Sequence, residues 1–118
     1  MGHLSTHVLD VARGRPADGV VIDLHALEPG GSWRHLKQVS TTADGRTDAP
    51  LLAGADFKTG TYMLTFQLGD YFRRCGVALA DPPFLDVVPL RFSLAEPNGD
   101  YHVPLLATPW SYSTYRGS

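Results

Sequence analysis

The stretch Thr61-Tyr62-Met63-Leu64-Thr65-Phe66-Gln67-Leu68 alternates between apolar and more polar side chains along an extended chain. One face of this segment would carry the apolar residues Tyr62, Leu64, Phe66 and Leu68. Because successive side chains of a strand point to opposite faces of its sheet, this pattern predicts a β-strand with one buried face.

The same alternation recurs along the chain, between residues that favour turns. Residues 20–27 alternate in this way, and Glu28-Pro29-Gly30-Gly31 then turns the chain into residues 33–40, which predicts a hairpin. Further strands are predicted at residues 84–95, at residues 101–107 and from Pro109 towards Tyr115. Pro89 has no amide hydrogen for a central ladder, so it predicts an edge strand or a bulge.

One short helix is predicted over residues 70–75, between two of the strands. Gly69 and Asp70 can cap its start, and Gly76 follows its end. The 118 residues suffice for one domain, and no linker or internal repeat divides them. We therefore predict a single all-β domain over residues 1–118, a sandwich of short strands with one short helix.

Composition and charge exclude several classes of partner and site. Ten basic residues against twelve acidic ones leave a net charge of −2, which argues against nucleic acid as a partner. No apolar run is long enough to predict a membrane span, and the absence of a leader pattern predicts a cytoplasmic protein. Cys75 is the one cysteine, so neither an intrachain disulfide nor a multi-cysteine zinc site is predicted.

Five histidines are the most obvious candidates for chemistry, and they stand at His3, His7, His25, His35 and His102. A zinc site needs three or four converging ligands, and no companion residue has the spacing of known zinc motifs. No metal is therefore predicted. The Gly-x-Ser-x-Gly elbow of serine hydrolases and glycine-rich phosphate loops are also absent. These residue patterns by themselves leave the function open.

Four segments in order along the chain narrow the function. They are Leu4-Ser5-Thr6-His7-Val8-Leu9-Asp10, Thr42-Ala43-Asp44-Gly45-Arg46-Thr47, Tyr101-His102-Val103-Pro104 and Tyr115-Arg116-Gly117-Ser118. Together they resemble the 5-hydroxyisourate hydrolase family, the purine-catabolic relatives of transthyretin. The resemblance covers essentially the whole chain. The final Tyr-Arg-Gly-Ser is its most specific part, because transthyretin itself lacks it.

The resemblance implies a fold, an assembly and a reaction. The fold would be a transthyretin-like (prealbumin) sandwich of two four-stranded antiparallel sheets with one short helix. Four copies would form a homotetramer, a dimer of dimers, with the sites in the channel between the dimers. The reaction would be hydrolysis of 5-hydroxyisourate, a small purine-derived molecule, to 2-oxo-4-hydroxy-4-carboxy-5-ureidoimidazoline in urate degradation, without a cofactor. The implied site residues are His7, Arg46, His102, Tyr115, Arg116, Gly117 and Ser118.

The chemistry of this reaction suggests a role for each implied residue. Attack of water on a ring carbonyl needs a base that works near neutrality and a shelter for the developing oxyanion. A guanidinium beside a histidine disfavours the imidazolium and keeps the ring able to accept a proton. We therefore assign His102 as general base, Arg46 as substrate clamp and electrostatic stabiliser, and His7 as a second polar contact. Ser118 would hydrogen-bond the substrate and relay a proton, and Tyr115 would bind substrate or brace a subunit contact.

Two other functions remain open at this point. The first is a transthyretin-like binding module that carries a small aromatic hormone in the same channel. The second is an immunoglobulin-like adhesion or structural domain, which would not require the four polar segments. His7, Arg46 and His102 favour the enzyme, because a channel lined by these polar side chains suits a purine better than an iodinated phenol.

Overall fold

In the computed structural model, which describes residues 2–117, two β-sheets pack face to face, and one short helix connects two strands of the same sheet. The elements in chain order are β1 (His3–Asp10), β2 (Arg15–Pro16), β3 (Val21–Leu27), β4 (Trp33–Ser40), β5 (Leu52–Ala53), the 3-10 helix η1 (Gly54–Asp56), β6 (Gly60–Gln67), α1 (Leu68–Arg74), β7 (Val87–Leu94), β8 (Asp100–Ala107) and β9 (Tyr112–Thr114).

One sheet has four antiparallel strands in the order β4-β3-β6-β7. The predicted hairpin is confirmed as β3 and β4, and the alternating stretch around Leu64 is confirmed as β6. Tyr62, Leu64 and Phe66 are all buried, as the one-sided apolar pattern requires. Pro89 lies on β7, which is an edge strand of the sheet. An edge strand has a neighbour on one side only, so it tolerates a residue without an amide hydrogen.

The other sheet has the order β2-β1-β8-β9, and the short β5 also pairs with β1. Strands β1 and β8 run parallel along their whole length, from His3 opposite Asp100 to Asp10 opposite Ala107. The expected sandwich is confirmed, but the expectation of two purely antiparallel, four-stranded sheets is wrong for this sheet. The chain reaches β8 from β7 in the opposite sheet, and a strand that arrives by such a crossover can lie parallel to its neighbour.

Helix α1 begins two residues before its predicted start, directly after β6. Its first turn is held there because the amides of Leu68 and Gly69 both donate to the carbonyl of Asp86, at 2.9 and 3.0 Å. Tyr71 and Phe72 then point into the sandwich and are buried. The helix thus closes one end of the core. The largest fully buried side chains in that core are Phe66, Phe72, Leu4, Ile22, Leu24, Leu51, Leu64, Leu68, Leu94 and Leu105.

Candidate active site

The outer face of the five-stranded sheet carries the polar side chains of Ser5, His7 and His102. On β1, the residues facing the core are buried, whereas Ser5 and His7 are partly exposed on the other side. The parallel pairing with β8 places Ser5 opposite His102 and His7 opposite Pro104. The ring centroids of His7 and His102 are 6.5 Å apart. The strand register therefore brings two histidines that are far apart in sequence onto one small patch of surface.

The turn formed by residues 42–46 brings Arg46 to the same patch. Arg46 forms an isolated β-bridge with His7, and the amide of Val8 donates to the carbonyl of Gly45 at 2.8 Å. Gly45 has a φ of +75°, and a Cβ there would collide with the carbonyl oxygen of Val8. Only glycine combines this left-handed conformation with this close approach, so Gly45 is what allows the turn to lie against β1.

The same turn fixes the orientation of His7. Its Nε2 lies 2.9 Å from the backbone carbonyl oxygen of Asp44. A carbonyl oxygen only accepts hydrogen bonds, so Nε2 of His7 carries a hydrogen and donates it. In the neutral ring, Nδ1 is then the nitrogen with a free lone pair.

His102 has a different set of neighbours. Its Nδ1 lies 2.9 Å from the hydroxyl oxygen of Ser5, and within residues 2–117 its Nε2 has no hydrogen-bond partner. Burial lowers the pKa of His102, and the charges of Arg46 and His7 lower that pKa further. His102 is therefore neutral at neutral pH and has one ring nitrogen available to a ligand.

Gly117 packs directly against His102. Its amide donates to the carbonyl of His102 at 2.7 Å, and a Cβ on Gly117 would lie 2.9 Å from Cδ2 of the ring. That distance is too short for two carbon atoms, so a larger residue would have to displace the imidazole. The C-terminal segment thus sets the position of the His102 ring.

A small cavity of about 190 Å³ opens beside the histidines. Ser5, Arg46 and Asp48 are among the residues that line it. The site therefore combines a recess lined by an exposed guanidinium and several hydrogen-bonding groups with a neutral histidine, His102, which contacts the lining residue Ser5. This arrangement is able to activate water beside a group on which negative charge develops.

The structure brings together three of the predicted site residues, His7, Arg46 and His102, with Gly117 beside them. Tyr115 and Arg116 lie away from this patch of surface. They line a separate cavity of about 230 Å³, where the guanidinium of Arg116 lies 4.2 Å from the centre of the Tyr101 ring. Ser118 lies outside the described residues. The catalytic and binding roles assigned to these residues stay predictions.

Ser5 and the carbonyl of Asp44 are the site groups that the sequence reasoning missed. Ser5 lies two residues before His7, and the period of a strand places residues i and i+2 on one face. That spacing could have indicated Ser5 once His7 was a candidate. The Asp44 carbonyl carries no signal in sequence, because its role comes from the path of the backbone.

Two further observations bear on the kinds of site present. Among residues 2–117, no three His, Cys, Asp or Glu side chains lie close enough together to hold a metal ion. In the same part of the chain, no helix is long and apolar enough to cross a membrane.

Comparisons with known proteins agree with this geometry. The model of the HIUase/Transthyretin family matches residues 4–117. The protein named 5-hydroxyisourate hydrolase 2 from Rhizobium meliloti (strain 1021) is 60% identical to this chain over 118 residues, covering 99% of this chain and 97% of that protein. The solved structure of Klebsiella pneumoniae 5-hydroxyisourate hydrolase is 35% identical, with a TM-score of 0.79 and complete coverage of both chains.

A longer protein contains the same fold. The crystal structure of an (S)-allantoin synthase is 45% identical to this chain, with a TM-score of 0.94. The match covers 99% of this chain but 44% of the synthase. This chain thus corresponds to less than half of that protein.

Proposed function

We propose a mechanism from the premise that this chain belongs to the HIUase/Transthyretin family and is an enzyme that hydrolyses 5-hydroxyisourate in urate catabolism. The product is 2-oxo-4-hydroxy-4-carboxy-5-ureidoimidazoline. The substrate is a small, polar, purine-derived heterocycle. Its size and its carbonyl groups suit a recess that the guanidinium of Arg46 lines, with His102 in contact with another lining residue, Ser5.

The single observation that carries the mechanism is the environment of His102. Nδ1 of His102 lies 2.9 Å from the Ser5 hydroxyl oxygen, and we assign the tautomer in which Nδ1 donates to that hydroxyl, which leaves the lone pair of the neutral ring on Nε2. Nε2 accepts a proton from water while the water oxygen forms a bond to the ring carbonyl carbon. The carbon–nitrogen bond of the ring then breaks, and the imidazolium returns its proton to the departing nitrogen. No proton or electron is left over in this sequence.

Arg46 and His7 assist this step. The exposed guanidinium of Arg46 binds carbonyl oxygens of the substrate and stabilises the oxyanion that develops during attack. The hydrogen bond from His7 to the carbonyl of Asp44 holds the ring in place and leaves Nδ1 to accept from the substrate or the water. Ser118 lies outside residues 2–117, and the hydrogen bond to substrate and the proton relay assigned to its hydroxyl remain part of this proposal.

We further propose that four copies of the chain assemble as a dimer of dimers in the cytoplasm. His7 and His102 are on an open sheet face, and a second copy across that face would exclude water from the reaction. Tyr115 and Arg116 would then act where subunits meet. A solution mass of four chains by light scattering would agree with this assembly, and the mass of one chain would contradict it.

The mechanism is tested by His102→Asn and His7→Asn. Loss of the base in His102→Asn is expected to lower kcat by about 10²- to 10⁴-fold, while loss of a positioning contact in His7→Asn raises KM and lowers kcat less. The assay follows the ultraviolet decay of freshly generated 5-hydroxyisourate, corrected for its spontaneous decay.

His3→Asn is the matched control, because His3 is on the same strand but pairs with the exposed Asp100. Its activity should equal that of the unmodified protein. If His7→Asn loses far more kcat than His102→Asn, then the two histidines have exchanged roles.

A further inference from the structure

A third and larger cavity, of about 440 Å³, lies between β2, the end of α1 and the 42–46 turn. Three arginines line it, Arg13, Arg15 and Arg74, together with the ring of Tyr71. None of these residues lines the recess beside His7 and His102. The proposed hydrolytic mechanism makes no use of them.

Arg13 is held in place by a buried carboxylate. Asp10 is fully buried at the end of β1, and its Oδ2 accepts from Nε of Arg13 at 2.9 Å and from the Tyr71 hydroxyl at 2.7 Å. The Tyr71 oxygen in turn accepts from Nη2 of Arg13 at 3.0 Å. Burial by itself raises the pKa of Asp10, but these hydrogen bonds outweigh burial and leave that pKa below its usual value. Asp10 is therefore ionised and fixes the guanidinium.

Arg74 is also fixed beside the Tyr71 ring. Its Nη2 donates to the carbonyl of Gly19 at 2.8 Å, and its guanidinium carbon lies 5.8 Å from the centre of the ring. The guanidinium carbon of Arg13 lies 5.9 Å from the same centre. A Cβ on Gly19 would come within 3.2 Å of Nη2 of Arg74, so the absence of a side chain there leaves room for the guanidinium.

The arginines of this cavity still have unused donors. Within residues 2–117, the Arg15 side chain has no hydrogen-bond or ion-pair partner, and the Nη1 group of Arg13 has none either. Asp10 neutralises one of the three cations, and Asp18 is the one carboxylate that lines the cavity itself. The cavity therefore carries an excess of positive charge on its guanidinium groups. Two of these groups, those of Arg13 and Arg74, are already held in place without a ligand.

We propose that this arginine cavity binds a small oxyanion of the phosphate or dicarboxylate class. Guanidinium groups bind such oxygens through paired, charge-assisted hydrogen bonds, which a chloride ion cannot form. Because Arg13 and Arg74 are already ordered, binding loses little side-chain entropy at these two residues.

Isothermal titration of the full-length protein with inorganic phosphate, and separately with malonate, tests the proposal. Both titrations are run at an ionic strength held constant with sodium chloride. We expect saturable binding of at least one of the two anions. The double variant Arg15→Gln/Arg74→Gln should weaken it about tenfold or more, or roughly 1.4 kcal/mol. The anion that binds more tightly identifies the ligand class.

Two control variants locate the binding. Arg73→Gln removes the same charge from α1, but Arg73 pairs with the exposed Asp70 and does not line the cavity. Arg46→Gln removes the cation of the hydrolytic recess. Both controls should bind the anion as tightly as the unmodified protein.

Three results would overturn the proposal. They are the absence of saturable binding of either anion, an equal loss of binding in Arg73→Gln, and a loss of binding in Arg46→Gln that the double variant does not show. Because no step uses 5-hydroxyisourate, these results are independent of the hydrolytic mechanism. Circular dichroism of each variant shows whether the fold is retained. If the double variant does not fold, Arg15→Gln alone takes its place, since the Arg15 side chain makes no hydrogen bond or ion pair within residues 2–117 and the substitution leaves the backbone pairing of β2 in place.

Discussion

Each of the two sheets carries a pair of histidines on its outer face. In the five-stranded sheet, the ring centroids of His7 and His102 are 6.5 Å apart. In the four-stranded sheet, His25 on β3 and His35 on β4 have centroids 5.1 Å apart. Spacing and burial alone would make the second pair as good a candidate site as the first. The difference between the pairs lies in their neighbours.

The neighbours decide which ring nitrogen is available for chemistry. His102 has Arg46 in its surroundings and Ser5 at Nδ1, so its neutral form is favoured and Nε2 is free. Nε2 of His35 lies 2.8 Å from a carboxylate oxygen of Asp23, and that oxygen accepts a hydrogen bond from Nε2. A histidine beside a cation can act as a base, whereas one bound to a carboxylate through the same nitrogen cannot take a proton there.

Among the variants that test this comparison, the one that removes the Arg46 cation should lower kcat/KM the most. Arg46→Gln takes away both the clamp for substrate oxygens and the charge that stabilises the oxyanion, so kcat/KM is expected to fall by about 10²- to 10³-fold. Arg34→Gln is the matched control, because Arg34 precedes His35 on β4 and pairs with Glu28 on the exposed surface. Its kcat/KM should match that of the unmodified protein. Equal losses in the two variants would contradict the role given to Arg46.

A carboxylate partner for His102, like the one that His35 has, should shift the pH dependence of kcat/KM. In the unmodified protein, kcat/KM falls as pH drops through the lowered pKa of His102, because a protonated ring cannot accept a proton. Ser5→Asp places a carboxylate at Nδ1, which favours the imidazolium and should move this acid limb up by about one pH unit. At a pH on the limb, activity then falls about tenfold.

Ser5→Asn is the matched control for this shift, because it has nearly the same shape as aspartate without the charge. Its acid limb should stay close to that of the unmodified protein. An acid limb that does not move in Ser5→Asp would show that the group titrating in kcat/KM is not His102.

Local sequence patterns and motifs predicted much of the fold and of the candidate site, but they did not predict how strands far apart in sequence pair. The alternation around Leu64 predicted β6 and its buried face, and the motifs that contain His7, Arg46 and His102 proved to lie together. The parallel pairing of β1 with β8 was not predicted. Alternation shows which face a side chain occupies, but the neighbouring strand depends on contacts between residues far apart in sequence. The partnership of Ser5 with His102 follows from that pairing and was missed with it.

Displacing the His102 ring without changing its chemistry should have a smaller effect. In Gly117→Ala the new methyl group would meet the ring at Cδ2, so the imidazole must shift. We expect kcat to fall about fivefold with the pH profile unchanged, since small misplacements of a catalytic group slow the reaction while its proton affinity is kept.

Gly30→Ala is the control for Gly117→Ala, because a Cβ at position 30 meets no atom within 4 Å. It should leave kcat unchanged. If Gly117→Ala also matched the unmodified protein, the contact between the C-terminal segment and the ring would have no part in catalysis.

The smallest effect is expected in the other histidine pair. The His35 side chain is 52% exposed and its hydrogen bond to Asp23 competes with solvent, so His35→Asn should change the free energy of unfolding by no more than about 1 kcal/mol. Urea denaturation measures that change, and the decay assay should give kcat and KM equal to those of the unmodified protein. A loss of kcat in His35→Asn comparable to that in His102→Asn would mean that neighbouring charge does not separate the two pairs. The outer face of the four-stranded sheet would then have to contribute to the reaction, and a site confined to Arg46 and the two histidines beside it would be wrong.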